Sequence, residues 1–165
     1  MMNPTETTFS FVVPGIPGHQ ERPRIVRIAG LSRMADTKKS VSWKALVTLC
    51  AQDGMRKAAL LAPFSRDHAI AVTIHAIYPR PKSARSDPSK RSPKITKPDW
   101  DNIGKAVSDA LNGVVYEDDC AIFCGTVTKA VAERGEAPFT RVTVYALPPD
   151  PATRRRSRKR SRAAP

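Results

Sequence analysis

The segment KPDWDNIGKAVSDALNGVVYEDD, residues 97–119, sets the strictest condition on how this chain folds. Asp101 is a favourable N-cap residue and Gly113 a favourable residue just past a C-terminus, which predicts a helix over residues 102–112. Five apolar residues recur at the i, i+3, i+4, i+7, i+8 spacing of one helical face: Ile103, Ala106, Val107, Ala110 and Leu111. So short a helix is stable only when its apolar face is packed, and a sheet is expected beneath it.

Several other segments have the patterns of regular structure. Alternating apolar residues predict strands over residues 7–13 and 69–78. Two more strands are predicted over residues 121–129 and 139–147, joined as a hairpin across the turn ERGEAP. A long helix is predicted over residues 37–61, with Trp43 on its apolar stripe as a core anchor rather than a base-stacking platform.

Two segments have the composition of basic loops. Residues 15–30, GIPGHQERPRIVRIAG, are rich in Gly, Pro and Arg, and Arg22 and Arg24 are candidate phosphate contacts; a solvated loop is the alternative. Residues 79–97 are predicted to be a mobile basic loop, with a plain linker as the alternative. Its candidate DNA contacts are Arg80, Lys82 and Lys97.

The net charge of +13 indicates a polyanionic partner. Without the seven cations of the last fifteen residues, 21 basic residues remain against 15 acidic, a net charge of +6. Nucleic acid is favoured over a membrane surface because no amphipathic helix with a bulky apolar face accompanies the charge. We expect one domain over residues 1–147, a disordered Arg-rich tail over 148–165, and a cytoplasmic protein without a secretory signal.

Carboxylates are concentrated in this basic chain within residues 97–119, which hold six of its fifteen acidic residues. A divalent cation between carboxylates and phosphate would explain the grouping, and oxygen ligands suit Mg²⁺ or Mn²⁺ rather than zinc. On an extended segment Asp99 and Asp101 project to the same face, and Asp118 or Asp119 can complete the site. Lys105, one turn beyond Asp101, points to the same region and can stabilise developing charge. Taken singly, these residues are better explained as a helix cap and turn residues, and only their grouping favours a metal site.

The same segment resembles the signature of the RusA family of Holliday-junction resolvases, (K)PD-x-DN-x-x-K-x-x-x-DALNG-x-x-x-x-DD, and FVVPGIPGHQERPR and YPRPKS are similar to that family too. The resemblance covers roughly residues 9–147. It implies a small α/β fold with helices on a mixed sheet, and a Mg²⁺-dependent homodimeric endonuclease that makes paired symmetric nicks in four-way DNA junctions, in DNA recombination and repair. It also implies a phage or prophage setting. Independently of the resemblance, we expect no membrane and no small-molecule cofactor. The implied site residues are the metal-binding catalytic carboxylates Asp99, Asp101 and Asp119, the catalytic Lys105, and the supporting Asp118 and Asp109.

The chain departs from that signature at Trp100, Gly104 and Ala121, none of which removes a carboxylate or the lysine. Two other functions stay open: a non-catalytic basic DNA-binding protein, and a metal nuclease acting on other branched DNA or on RNA. The three cysteines, Cys50, Cys120 and Cys124, lack a zinc or disulfide pattern and are expected to be buried thiols.

Overall fold

The computed structural model describes residues 6–28 and 31–149, so the predicted tail lies almost wholly outside the described residues. The elements that carry the fold are seven strands, two helices and one 3-10 turn. They are β1 (Thr7–Pro14), β2 (Arg24–Ile28), β3 (Leu31–Ala35), α1 (Lys38–Lys57), β4 (Ala69–Tyr78), β5 (Ser92–Pro93), α2 (Trp100–Leu111), the turn Asp119–Ala121, β6 (Ile122–Val131) and β7 (Phe139–Leu147).

Five of the strands form one mixed sheet in the order β1-β7-β4-β6-β5, which confirms the α/β fold with helices on a mixed sheet. β4 pairs parallel with β6 and antiparallel with β7, and β7 pairs antiparallel with β1. The predicted hairpin of the last two strands is wrong, because β4 lies between them. The reason is α2: it connects β4 to β6, and a helical crossover joins neighbouring parallel strands.

Both helices lie on one face of the sheet, α1 over β1 and α2 over β6, and they also contact each other. The inward residues of the alternating strands meet the apolar stripes of the helices in one core. That core contains Phe9, Phe11, Val13, Trp43, Val47, Ile70, Val72, Ile74, Ile103, Val107, Leu111, Tyr116, Val142 and Val144. Trp43 is thus a core residue, as its helical spacing predicts.

Two local regions differ from the sequence-based expectation. β2 lies within residues 15–30, where a loop was predicted, because Ile25 and its neighbours pair with β3 in a two-stranded hairpin. α1 ends at Lys57, before Pro63, and its N-cap is Thr37, whose hydroxyl accepts from the backbone N–H of Ser40. No helix in the described ranges is long and apolar enough to cross a membrane.

Candidate active site

The start of α2 sets the positions of the first two carboxylates. Asp99 is the N-cap residue, with φ −69° and ψ 146°, and helical structure begins at Trp100. The expectations that Asp101 is the N-cap and that both carboxylates share an extended segment are therefore wrong; Asp101 lies in the first helical turn. The side chain of Asp99 makes no capping hydrogen bond, which leaves its carboxylate available for another ligand. The positive end of the helix dipole favours negative charge at both residues.

Asp101 and Lys105 lie one turn apart on α2 and line a groove of about 260 Å³ between this helix and β6. Lys105 also lines a second cleft of about 800 Å³, together with Asp99, Arg22 and Lys97. Lys105 thus stands between an apolar groove and a polar cleft. The fold thus brings five predicted site residues together at the N-terminal end of α2: Arg22, Lys97, Asp99, Asp101 and Lys105.

The wall of the polar cleft is the loop before β2, which hydrogen bonds hold against both helices. The backbone N–H of Gln20 donates to the carbonyl oxygen of Asn102 (2.9 Å), and its side-chain amide donates to Asp36 (2.8 Å). The Thr37 hydroxyl donates to Glu21 (2.5 Å), and this bond lowers the pKa of the Glu21 carboxyl. These contacts fix the loop that carries Arg22 opposite Asp99.

Asp109, predicted to support the site, lies in an ion-pair network between the helices. Lys44 Nζ lies 2.9 Å from Asp109 Oδ2 and 3.1 Å from Asp36 Oδ2. Burial favours the neutral form of Lys44, but hydrogen bonds to Asp109 and Asp36 outweigh it and raise its pKa. The hydrogen bonds from Lys44 and Gln20 lower the pKa of Asp36. Sequence reasoning missed Lys44, although its place beside the buried Ser40 and Val47 on α1 is a usable signal.

Lys129 is a second residue that sequence reasoning missed. Its ammonium donates to the carbonyl oxygens of Thr96 (2.9 Å) and Pro98 (2.6 Å), the residues just before the Asp99 cap. Lys129 therefore holds the entry to α2 onto β6. A lysine two positions after the half-buried Val127, on the same side of the strand, is the signal that predicts such a role.

Asp118 and Asp119, the two aspartates that follow α2, have different contacts. Asp118 accepts from the backbone N–H of Cys120 (3.0 Å) and pairs with Arg66 (2.8 Å). The Cys120 hydrogen bonds, followed by the charge of Arg66, lower the pKa of Asp118. Asp119 begins the turn into Ile122, which lines the groove.

Tyr116 packs against the second half of α2, three residues before Asp119. Burial and the nearby charges of Asp119 and Asp109 raise the pKa of Tyr116 to about 12, against the opposing effect of its bond to Ser108. The Tyr116 hydroxyl donates to the Ser108 carbonyl oxygen (3.0 Å), two turns along α2 from Asp101. Within residues 6–28 and 31–149, no three His, Cys, Asp or Glu side chains lie close enough together to hold a metal ion.

Some of the predicted DNA-contacting cations are exposed, and one is already hydrogen-bonded within the protein. Arg24 and Lys82 are exposed, whereas the Arg80 guanidinium donates to Ala132, Ser86, Asp87 and Lys90 at 2.9–3.2 Å. Arg80 thus organises the loop over residues 86–90. It lines a cationic cleft of about 490 Å³ with Lys82, Arg85 and Arg134.

The cysteines do not behave as expected. Cys50 is half-buried, but Cys120 and Cys124 are exposed, so the expectation of three buried thiols is wrong for two of them. Both exposed thiols lie at or beside β6, the strand that borders the groove.

Two comparisons with known proteins relate the chain to a family. Residues 14–145 match the family model described as endodeoxyribonuclease RusA. The chain is also 33% identical over 130 residues to the uncharacterized protein YqaN of Bacillus subtilis (strain 168), a match that covers 74% of this chain and 87% of that protein. The matched range includes every carboxylate and lysine named above on α2 and the turn before β6.

Proposed function

The chain belongs to the RusA family of endodeoxyribonucleases, and we propose that it cleaves four-way DNA junctions by paired symmetric nicks, as a Mg²⁺-dependent homodimer. The family gives the reaction class, hydrolysis of DNA within a strand at branched junctions. The junction preference, the metal, the dimer and a role in recombination and repair are our proposal for this chain.

The observation that carries the proposal is the position of Lys105. It stands one turn from Asp101 and shares a cleft with Asp99, Arg22 and Lys97, so carboxylates and cations meet in one place. A phosphodiester in this cleft contacts cations on both sides while its scissile bond faces the carboxylates. Phosphate contacts of this kind fix position without reading sequence, which suits an enzyme that recognises the shape of DNA.

The donor set fits a hard cation. Asp99 and Asp101 present carboxylate oxygens, Asp99 without a capping bond, and Mg²⁺ commonly binds one or two carboxylates together with substrate phosphate. Among the described residues no three carboxylates lie together, so in this proposal the ion site is completed only when DNA binds. We propose Asp99, Asp101 and Asp119 as the residues that would hold the ion. When bound, it lowers the pKa of a coordinated water and neutralises charge on the phosphate oxygens.

The chain's own residues have separate roles in this proposal. Lys105 places its ammonium beside the phosphate oxygens, where negative charge grows during hydrolysis. Arg22 and Lys97 bind flanking phosphates, and Lys129 keeps Asp99 at the helix entry through its bond to Pro98. Asp118 and Asp109 support the site by tying the turn to Arg66 and the two helices to each other.

The test is cleavage of a labelled four-way junction beside linear duplex of the same sequence, with Mg²⁺ or with EDTA. We expect paired nicks only in the junction, abolished by EDTA and by Asp101→Asn while junction binding persists. Binding without cleavage under every metal condition would leave a non-catalytic DNA-binding protein. Equal cleavage of duplex or of RNA would retain the nuclease and reject the junction preference.

A further inference from the structure

Trp100 is a large aromatic side chain that the fold leaves uncovered. It is the first residue of α2, between Asp99 and Asp101, and it is 62% exposed. In the described part of the chain it belongs neither to the core nor to the side chains packed against the core, whereas Trp43 is buried there. Residue 100 is also a position at which the chain departs from the RusA signature. Neither packing within the chain nor the family signature therefore accounts for this indole.

The groove beside Trp100 is apolar and offers open space next to the backbone. The side chains that β4 and β6 present to it are aliphatic except for Thr126, and Gly104 and Gly125 line it without a side chain. An added Cβ on Gly125 would meet no atom within 4 Å, so a flat group can approach the strand closely there. At about 260 Å³ the groove lies just below the ~300 Å³ at which pockets for small ligands begin, so it admits a single ring system.

Lys105 joins this groove to the polar cleft that is proposed to hold the phosphate. It lines both, and Trp100 lines the groove five residues before it on the same helix. A nucleobase is attached to its phosphate through one sugar, so a nucleotide whose phosphate contacts Lys105 has its base within reach of Trp100. The cations Arg22 and Lys97 in the cleft favour a polyanion over an apolar peptide as the occupant.

We propose that Trp100 stacks in the apolar groove on a nucleobase at the branch point of the DNA, while Lys105 holds the phosphate of the same nucleotide. This inference rests on the function proposed above and adds to it a residue that selects branched DNA. Every nucleobase has a flat face, so stacking recognises a base that has left the helical stack without reading sequence.

The energetics favour branched over linear DNA. Stacking of one base on an aromatic side chain strengthens binding about 5- to 150-fold. In a linear duplex each base has stacked neighbours on both sides, and removing it costs about as much as that contact returns. At a branch point the stack is interrupted, so the cost is smaller and the contact with Trp100 adds to affinity. Phosphate contacts, by contrast, act on both kinds of DNA.

Phe123 provides a comparison within the same molecule. It is 61% exposed on β6, nearly the same fraction as Trp100, but it is not among the residues that line the groove. If exposed aromatic area alone bound DNA, both side chains would contribute. In the proposed arrangement only Trp100 contributes.

The first experiment follows the fluorescence of Trp100 itself. Trp43→Phe leaves Trp100 as the single tryptophan, and Trp100→Leu leaves the buried Trp43. Both variants are titrated in EDTA with a four-way junction and with linear duplex of the same sequence. We expect the junction to quench most of the emission of Trp43→Phe and to leave that of Trp100→Leu nearly unchanged, because only Trp100 meets a base.

The wild-type chain gives the same comparison if Trp43→Phe does not fold. Its spectrum minus that of Trp100→Leu is the emission of Trp100, with and without DNA. Absence of quenching at saturating junction, or equal quenching by linear duplex, would overturn the proposal.

The second experiment measures the dissociation constants of the wild type, Trp100→Leu, Trp100→Phe and Phe123→Leu for junction and for duplex. We expect Trp100→Leu to weaken junction binding about 5- to 150-fold and to leave duplex binding unchanged. Trp100→Phe should retain most of the affinity because it keeps an aromatic face, and Phe123→Leu should change neither constant. Equal effects of Trp100→Leu and Phe123→Leu, or an equal loss on junction and duplex, would contradict a stacking contact.

A junction with an abasic nucleotide locates the base. One branch-point nucleotide at a time is made abasic, and binding by the wild type and by Trp100→Leu is compared. At one position the missing base should weaken binding by the wild type but have little effect on Trp100→Leu, because side chain and base share one contact. A change of the fold in the variant would not depend on a single nucleotide. The same abasic effect in both proteins at every position would reject the contact.

Junction cleavage separates this inference from the proposed function. Quenching and the abasic effect without any cleavage would retain the stacking contact and reject the nuclease assignment. Cleavage by Trp100→Leu with the wild-type preference for the junction would retain the nuclease and reject the role of Trp100. A change in the solution mass of Trp100→Leu with unchanged DNA binding would make the groove a protein contact and overturn the proposal.

Discussion

Lys44 on α1 and Asp109 on α2 form an ion pair of 2.9 Å that joins the two helices on the sheet. The side chain of Lys44 is only 18% exposed and also reaches Asp36, so both carboxylates depend on one ammonium. Lys44 therefore anchors α2, the helix that carries Asp101 and Lys105, to α1 without contacting either of those two residues.

Replacing this ammonium is expected to destabilise the fold. Lys44→Met leaves Asp36 and Asp109 without their shared partner, and we expect the free energy of unfolding to fall by about 1–3 kcal/mol in urea denaturation. The exposed pair Lys57–Asp53 is the control: Lys57→Met should change it by less than about 0.5 kcal/mol. Equal effects of the two substitutions would show that the Lys44 network has no special role.

The same network predicts a pH dependence. The folded-state pKa of Asp36 is lowered, so its contribution to stability is present above the unfolded pKa of about 3.9 and is lost as pH falls through the lower folded value. Urea denaturation between pH 6 and pH 2.5 should show stability falling below about pH 4. In Asp36→Asn the loss of stability below about pH 4 should be smaller. The same loss in this variant as in the wild type would show that Asp36 is not the titrating group.

Lys44 predicts the opposite dependence at alkaline pH. Its folded pKa is raised, so its contribution is present below the unfolded pKa of about 10.4 and is lost as pH rises through the higher folded value. Stability should therefore fall more steeply above pH 10.5 in the wild type than in Lys44→Met. Parallel curves would exclude Lys44 as the titrating group.

Arg80 and Lys82 are neighbours with different expected roles. Arg80 binds four backbone carbonyls, so Arg80→Met should speed amide exchange over residues 86–90 and destabilise the fold by about 1–3 kcal/mol. Lys82→Met should leave stability unchanged but reduce the salt dependence of DNA binding by about one phosphate contact. Exchange rates and binding titrations at several salt concentrations measure the two effects. A change of the exchange rate in Lys82→Met, or none in Arg80→Met, would reject this division.

Lys105 is expected to act on the rate of cleavage. Lys105→Met should lower single-turnover cleavage of a junction about 10²–10³-fold while junction affinity changes little, because charge on the phosphate grows only as the bond breaks. Lys105→Arg keeps the charge and should retain more activity than Lys105→Met. Equal loss of binding and cleavage would instead make Lys105 a phosphate anchor like Lys97.

Elements with strong periodicity were predicted closely from the sequence. Residues 69–78 and 139–147 form strands with the predicted bounds, since their alternation is long and uninterrupted. The start of α2 was misjudged by two residues, because Asp99 and Asp101 are both good N-cap types and only the backbone angles distinguish them. Lys44 and Lys129 were not found at all, as a lysine with a buried stem and a bound ammonium looks like a surface lysine in one dimension.

The sequence by itself determined the α/β class, the two helices, the main strands and the segment that carries Asp99, Asp101 and Lys105, since these depend on local period and on residue type. Only the tertiary structure decided the order of the strands. α2 returns the chain to a place beside β4, so β6 lies between β4 and the short edge strand β5, and β7 lies in the interior of the sheet. The same topology puts Lys105 between two clefts and Trp100 beside the apolar groove. Strands so far apart in the chain become neighbours because that arrangement buries the apolar faces of the sheet and the helices. No local sequence pattern determines which strands these are.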